Sequence, residues 1–221
     1  MRVASTALLL LLTVCRSTGS PVSDREIVIG ERVGPIERGM TLTELSAALG
    51  DAAVVPGDVY VGEGFCAAGA RVFPDPPDEV EVLWTVAGGP VAIVRVSEPT
   101  GEWVTSSGIT IGTPIEELER MNDGPLSFSG FGWDYGGLVS SWDGGRLAES
   151  HDPSTSISIT LAPGAGAREA IDPETEARAV FGEALVRSDY PAIRKMDVTV
   201  VRLDAVLARL EQSAIRECEG S

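Results

Sequence analysis

Few residues in this chain have the type and spacing to do chemistry. His151, the only histidine, lies in Ser150-His-Asp-Pro153, a polar, turn-like stretch. A single imidazole supplies a single side chain that titrates near neutral pH without help from its surroundings. Serines and aspartates are plentiful enough to assemble a Ser–His–Asp set on paper. No Gly-x-Ser-x-Gly elbow presents a serine for attack, however, so His151 reads as a surface residue rather than a base. With 33 Asp and Glu residues, acid pairs arise from composition alone and do not indicate glycoside hydrolysis. Asp134 and Asp143 are the acids one would pair for calcium, but the Asp-x-Asp-x-Asp-Gly run of an ion-wrapping loop is absent from the sequence. The cysteines are too few and too widely spaced for zinc or an iron–sulfur cluster. The sequence therefore implies no catalytic set, no metal and no cofactor.

The segment with the most unusual composition is Gly130-Phe-Gly-Trp-Asp-Tyr-Gly-Gly137. Phe131, Trp133 and Tyr135 offer contact area, Asp134 a charge, and the glycines close backbone approach, which together make a candidate binding loop. The competing and preferred reading is a glycine-bent hairpin in which Phe131 and Trp133 fill the space between a sheet and a helix. No lysine and no strand-to-helix glycine frame follows, so it is not a phosphate loop. Gly64-Phe65, within Glu63-Gly-Phe-Cys-Ala-Ala-Gly69, echoes Gly130-Phe131, and the recurrence points to a role in the fold.

Charge and cysteine usage narrow the partners. A net charge of −16 excludes nucleic-acid binding driven by clustered Lys and Arg, and opposes unaided binding to anionic lipid. Residues 1–20 read as an export signal: Arg2, then the apolar Ala7–Val14, then small polar residues. The apolar stretch falls well short of the roughly 20 residues needed to span a bilayer. Leu12-Thr-Val-Cys15 has the outline of a lipoprotein cleavage site, making Cys15 a candidate for lipid attachment, although Val14 is bulky for the position before the cut. Ser17 to Glu26 reads as a tether. Cys66 and Cys218 remain as an even pair, a candidate disulfide in an oxidising compartment, with two free thiols as the alternative.

The elements that must position these residues follow from an internal repeat. Val33–Gly50 returns as Ser107–Gly124, with Gly39 matching Gly112 at an offset of 73. Ile36, Leu42, Glu44, Leu45 and Ala48 then fall on Ile109, Ile115, Glu117, Leu118 and Met121. Thr41-Leu-Thr-Glu44 has the form of a capping box, and Leu42, Leu45, Ala48 and Leu49 line one face of the helix it starts. Thr113 caps the second helix, with Pro114 at its first position and Glu116 at its third. Strands are expected at 26–29, 59–61, 70–73, 80–86 and 90–96, the last two joined as a hairpin across Ala87-Gly-Gly89. Further strands are expected at 103–105, 126–128, 137–142, 157–161 and 197–203, with mixed helical character over 173–186 and a terminal helix over 205–214 whose first residues could instead prolong the last strand. Too few crossover helices separate the strands for a parallel sheet. The fold class is α+β, a tandem of short capped helices each packed on antiparallel sheet. The domain plan is a signal at 1–20, a first unit at 21–98, and a second at 99–221 carrying an insertion at about 163–195.

Gly34 to Leu45, Gly-x-Ile-x-x-Gly-Met-Thr-x-x-Glu-Leu, resembles the opening of the SmpA/OmlA (BamE-like) outer-membrane lipoprotein domain. It is also similar to the related fold of the secreted beta-lactamase inhibitory protein. Gly39, Met40, Thr41 and Leu45 carry the match in the first unit, and Gly112 and Leu118 in the second, where Thr113 and Pro114 replace Met40 and Thr41. The resemblance implies two helix-on-sheet units in tandem and a binding role, either envelope assembly or inhibition of an enzyme. It supplies no interface residue for this chain.

These readings lead to a non-catalytic protein of the bacterial periplasm or outer membrane, lipid-anchored if Cys15 is modified and otherwise secreted. It is expected to bind an envelope protein through its sheet face or the 130–137 loop. Two alternatives stand beside it. One is a carboxylate-dependent hydrolase or carbohydrate-acting enzyme using the aromatic loop, which requires a deep cleft with convergent acids near Trp133 and Tyr135. The other is a small-molecule carrier with an enclosed apolar cavity.

Overall fold

The computed structural model describes residues 22–150 and 156–218. The export signal with Cys15, and His151, lie outside the described residues. From Val22 onward the expected tether is docked rather than free: Val22 is buried, Asp24 pairs with Arg32, and Arg25 with Asp78.

The chain opens with a small meander, β1 (Glu26–Val28), β2 (Arg32–Val33) and β3 (Ile36–Glu37). Helix α1 (Leu42–Leu49) follows, held at its start by the expected capping box. The Thr41 hydroxyl accepts from the Glu44 amide at 3.4 Å, and the Glu44 carboxylate accepts from the Thr41 amide at 2.8 Å. The Thr41 amide and then the Thr41 hydroxyl, each donating to the Glu44 carboxylate at 2.8 Å, hold that carboxyl below its usual range. Leu45 is buried and Leu42 and Leu49 are half-buried, but Ala48 is exposed and so leaves the expected stripe.

Four antiparallel strands come next: β4 (Val54–Gly62), β5 (Phe65–Val72), β6 (Val80–Trp84) and β7 (Val91–Val96). Strand β8 (Val104–Thr105) then pairs in parallel with β1, placing Glu26 opposite Val104. The expectation of purely antiparallel pairing fails here for a topological reason. The whole stretch from β2 to β7 acts as the crossover, so no dedicated crossover helix is needed.

Helix α2 (Ile115–Asn122) lies 73 residues after α1 at both ends, Leu118 is as buried as Leu45, and Gly112 shares the positive φ of Gly39. The expected cap by Thr113 does not form. Pro114 is the N-cap, without a side-chain cap, and the Thr113 hydroxyl accepts from the Thr110 amide instead. Thr113 and Val200 share a backbone hydrogen bond and Pro114 bridges Thr199, so both residues are held extended and the helix starts one residue later. The expected stop is present, with Asp123 in the left-handed region.

The remaining elements are β9 (Ser127–Ser129), β10 (Val139–Ser141), β11 (Ile157–Ala162), α3 (Glu176–Val180), β12 (Leu185–Arg187), β13 (Thr199–Val206) and β14 (Ile215–Glu217). Strands β10, β9 and β12 form a three-stranded sheet. Helical character between 173 and 186 is confined to α3, because β12 is drawn into pairing with β9 and Phe181 bridges Phe131. The terminal helix expected over 205–214 does not form, and its first residues take the alternative of prolonging the strand, β13. Ala205 and Val206 pair with Val94 and Ile93, and Ala205 and Leu207 are buried, so sheet pairing overrides the helical period.

The outcome is a mixed α+β fold. Its centre is a seven-stranded sheet in the order β11-β13-β7-β6-β5-β14, with β4 also paired to β5. Strands from both halves of the sequence enter this sheet. One face packs against Leu45, Ile115, Leu118, Phe128 and Trp103 in a single large core. A second, small cluster of Val59, Ala67 and Leu83 lies apart from that core.

Asn122, read from sequence only as part of a helix stop, is a fully buried hub. Its amide nitrogen donates to the carbonyls of Gly124, Pro125 and Trp142, and its oxygen accepts from the Leu147 amide at 3.1 Å. Asn122→Ala would strand these groups in a dry interior and is expected to lower unfolding free energy by about 3 kcal/mol in denaturant titration. The lowered Glu44 carboxyl gives a pH test. Its contribution is complete above the unfolded carboxyl pKa and is lost as pH falls through the lower folded value. The stability gap between wild type and Glu44→Gln should therefore be flat at neutral pH and shrink below about pH 4.

Candidate functional site

The site is built on the sheet face turned away from the helices. Side chains alternate between faces along a strand, so Val80, Val82 and Trp84 point to the core while Glu81 and Leu83 point outward. Register aligns these positions across strands: Leu83 opposes Ile93, and Glu81, Arg95 and Asp204 form a row over β6, β7 and β13. Arg95 sits between two carboxylates, with its Nε donating to Asp204 at 2.8 Å and Nη1 lying 3.4 Å from Glu81. Nη1 also donates to the Tyr60 carbonyl at 2.8 Å. Burial works against the Arg95 charge, but Asp204 and then Glu81 more than offset it, and its pKa is raised.

The C-terminal tail finishes this face. After β13 the amides of Leu207 and Ala208 donate to the Ala92 carbonyl, and that of Glu211 to Thr85. Leu210 packs on the small cluster with Val61 and Ile93. Strand β6 pairs with β5 from Gly69 to Val72, and β14 takes over from Phe65 to Ala67. Cys66 and Cys218 are joined by a disulfide across 152 residues of sequence. Arg216 adds an exposed pair with Asp58.

Between the tail and the β4–β5 hairpin lies an open groove of about 550 Å³. Leu83, Ile93 and Val61 form its floor, and Leu210, Gln212 and Ile215 its tail-side wall. Phe65, Glu63 and Tyr135 close the other side. Of the eight exposed large hydrophobics among the described residues, Phe65 (39 %), Tyr135 (41 %) and Ile215 (37 %) line this groove. A fourth, Tyr60, stands on the same hairpin, its hydroxyl accepting from the Gly64 amide at 3.3 Å.

The 130–137 loop divides between the two readings given to it. Phe131 is core, packed on Phe128 and Phe181. Trp133 is half-buried, donates its indole N–H to the Gly130 carbonyl at 2.8 Å, and meets Tyr135 edge-on. Asp134 and Tyr135 are exposed and reach the other hairpin: Asp134 accepts from the Glu63 amide at 2.7 Å, and the Tyr135 hydroxyl lies 3.4 Å from the Glu63 carboxylate. Glu63, then Asp134, keep the Tyr135 phenol protonated beyond its usual range. Gly137, at positive φ, lets the loop fold back onto β11, where a methyl group would collide with the Leu161 carbonyl. The echo between Gly64-Phe65 and Gly130-Phe131 does not carry through: Phe131 is buried, whereas Phe65 is exposed. The two segments instead touch each other.

Asp143 accepts from the hydroxyl of Ser127 on β9 at 2.9 Å, while Asp134 is engaged by the Glu63 amide. Among the described residues no three His, Cys, Asp or Glu side chains gather as a metal-sized group. No helix among them is long and apolar enough to cross a membrane. Glu63 is the one carboxylate on the groove lining. Sequence reading missed Leu210 and Ile215 as lining residues because it placed the first in a helix and assigned the second no element. The available signal was Cys218, which ties Ile215-Arg-Glu to whatever strand holds Cys66.

Comparison with protein-family models, curated proteins and solved structures gives no match.

Past the backbone bonds at Leu207, Ala208 and Glu211, the end of the tail is held by three strand pairs, the Cys218 amide donating to the Gly64 carbonyl, and an exposed ion pair, so the disulfide is expected to dominate its retention. Closing a loop of this length is worth up to about 5 kcal/mol in chain entropy. The Cys66→Ser, Cys218→Ser double variant should lose about 2–5 kcal/mol in denaturant titration. Amides of residues 215–217 should lose most of their protection in hydrogen exchange.

Proposed function

We propose that this protein is a non-catalytic, exported or lipid-anchored cell-envelope protein that binds another protein at the groove beside Tyr135. The observation that supports it best is the gathering of Phe65, Tyr135 and Ile215, all exposed, on one groove with an aliphatic floor. Exposed apolar and aromatic contact area concentrated at one place is the usual mark of an interaction surface, whereas scattered single residues are not. The groove is built on sheet strands and pinned by a disulfide, so little ordering would be required on binding. The SmpA/OmlA and inhibitory-protein resemblance is a binding-protein resemblance and agrees with this reading. The tandem architecture that goes with it is supported by the 73-residue offset between α1 and α2. Export is supported by the composition of residues 1–20 and by the Cys66–Cys218 bond, which suits an oxidising compartment.

The test is site-specific photocrosslinking in the native cell, with a benzophenone side chain placed at Tyr135 or, as a remote control, at Tyr190. A discrete adduct from position 135, absent from position 190 and lost on Phe65→Asp, is the expected result. Equal labelling from both positions, or none from 135, rejects the groove as the binding surface.

A further inference from the structure

Resting on that reading, we infer that the groove receives a segment of a partner protein in which an aliphatic or aromatic side chain is flanked by lysine or arginine. The floor sets the first half of this chemistry. Ile93, Val61, Leu210 and Ile215, over the buried Leu83, present carbon to the groove, with the Gln212 amide the one polar group on the tail side, so what enters between them must be mainly apolar to repay desolvation. The rim sets the second half.

Arg95 is the only basic residue on the lining, and its charge is already spent on Asp204 and Glu81. Its Nη1 is further engaged by the Tyr60 carbonyl. An incoming carboxylate would have to break that row. Glu63 and Asp134 stand at the opposite edge, and no ion pair among the described residues reaches either of them. Their bonds to each other's segment and to Tyr135 fix their positions without neutralising them. Tyr135 adds an exposed aromatic ring beside these carboxylates, an arrangement that attracts ammonium and guanidinium groups. The field at this edge is therefore negative and unspent.

Charge also decides against a second copy of this chain as the occupant. Two molecules carrying −16 each repel, and an isologous contact would set Glu63 and Asp134 near their own counterparts. A basic–apolar partner segment meets neither objection. The groove lies on the outer sheet face, flanked by the β4–β5 turn and the 210–215 tail, and β14 already pairs with β5, so the segment lies across the face rather than adding a strand.

The experiment uses the full oxidised protein and three synthetic peptides: Lys-Ile-Lys-Phe-Lys-Ile-Lys, Glu-Ile-Glu-Phe-Glu-Ile-Glu and Lys-Ser-Lys-Ser-Lys-Ser-Lys. Binding is followed by NMR shifts of the backbone amides of Phe65, Leu83, Ile93, Tyr135 and Ile215. The first peptide is expected to shift these amides and to bind at least about tenfold more tightly than the other two. Its affinity should fall as salt rises from about 0.05 M to about 0.5 M. The Glu63→Gln, Asp134→Asn double variant, isosteric and at exposed positions, should weaken it by about tenfold. An unchanged melting temperature for that variant excludes misfolding as the cause.

Equal binding of the acidic peptide overturns the charge assignment, and equal binding of the lysine–serine peptide overturns the apolar anchor. If no peptide binds while position 135 still crosslinks a partner in cells, the chemistry proposed for the occupant is wrong and the binding surface stands. If both experiments fail, both readings fall.

Discussion

The structure depends on one constraint, the two-residue period of the central sheet. Each of β5, β6, β7 and β13 must give one set of side chains to a dry core under the helices and the other set to the opposite face. On β6 and β7 that division sends Val80, Val82, Val94 and Val96 inward and Glu81, Leu83, Ile93 and Arg95 outward. A one-residue slip would exchange the two sets and bury Arg95 against the helices, so register is strongly specified. The Glu81–Arg95–Asp204 row and the apolar floor of the groove are two results of the same alternation.

An outward face of that composition cannot be left wholly bare. Leu83 would expose a large aliphatic surface at its centre, and the chain covers it with its own C-terminus. Leu210 packs over the cluster, β14 completes the pairing of β5 where β6 has turned away, and the disulfide keeps the short β14 strand in place. Three paired residues hold weakly on their own, and a covalent closure that removes freedom from the unfolded chain compensates. The cover is incomplete, and its gap is the groove.

The groove's outer edge comes from two distant loops that buttress each other. The β4–β5 turn and the 130–137 loop meet through Glu63, Asp134 and Tyr135, a link across about 70 residues of sequence. The same loop sends Phe131 into the core. A single short segment thus serves packing with Phe131 and surface chemistry with Tyr135, and Gly132, at positive φ, turns the backbone just after Phe131.

Much of the local structure was legible in the sequence. The Thr41–Glu44 cap, the 80–96 hairpin, the left-handed stop after α2 and the pairing of Cys66 with Cys218 all rest on short-range chemistry or on elimination among few cysteines, and all are present. What failed was local propensity in competition with long-range pairing. Thr113 turned its hydroxyl to the Thr110 amide while its carbonyl accepts from Val200, and residues 205–206 took the strand alternative in pairing with β7. The sequence by itself determined the α+β class, the two helices 73 residues apart and the acidic character of the surface. Tertiary structure alone decided that residues 63, 135 and 215 share one groove, because that proximity comes from strand order and a 152-residue closure, neither of which leaves a periodic trace in the chain.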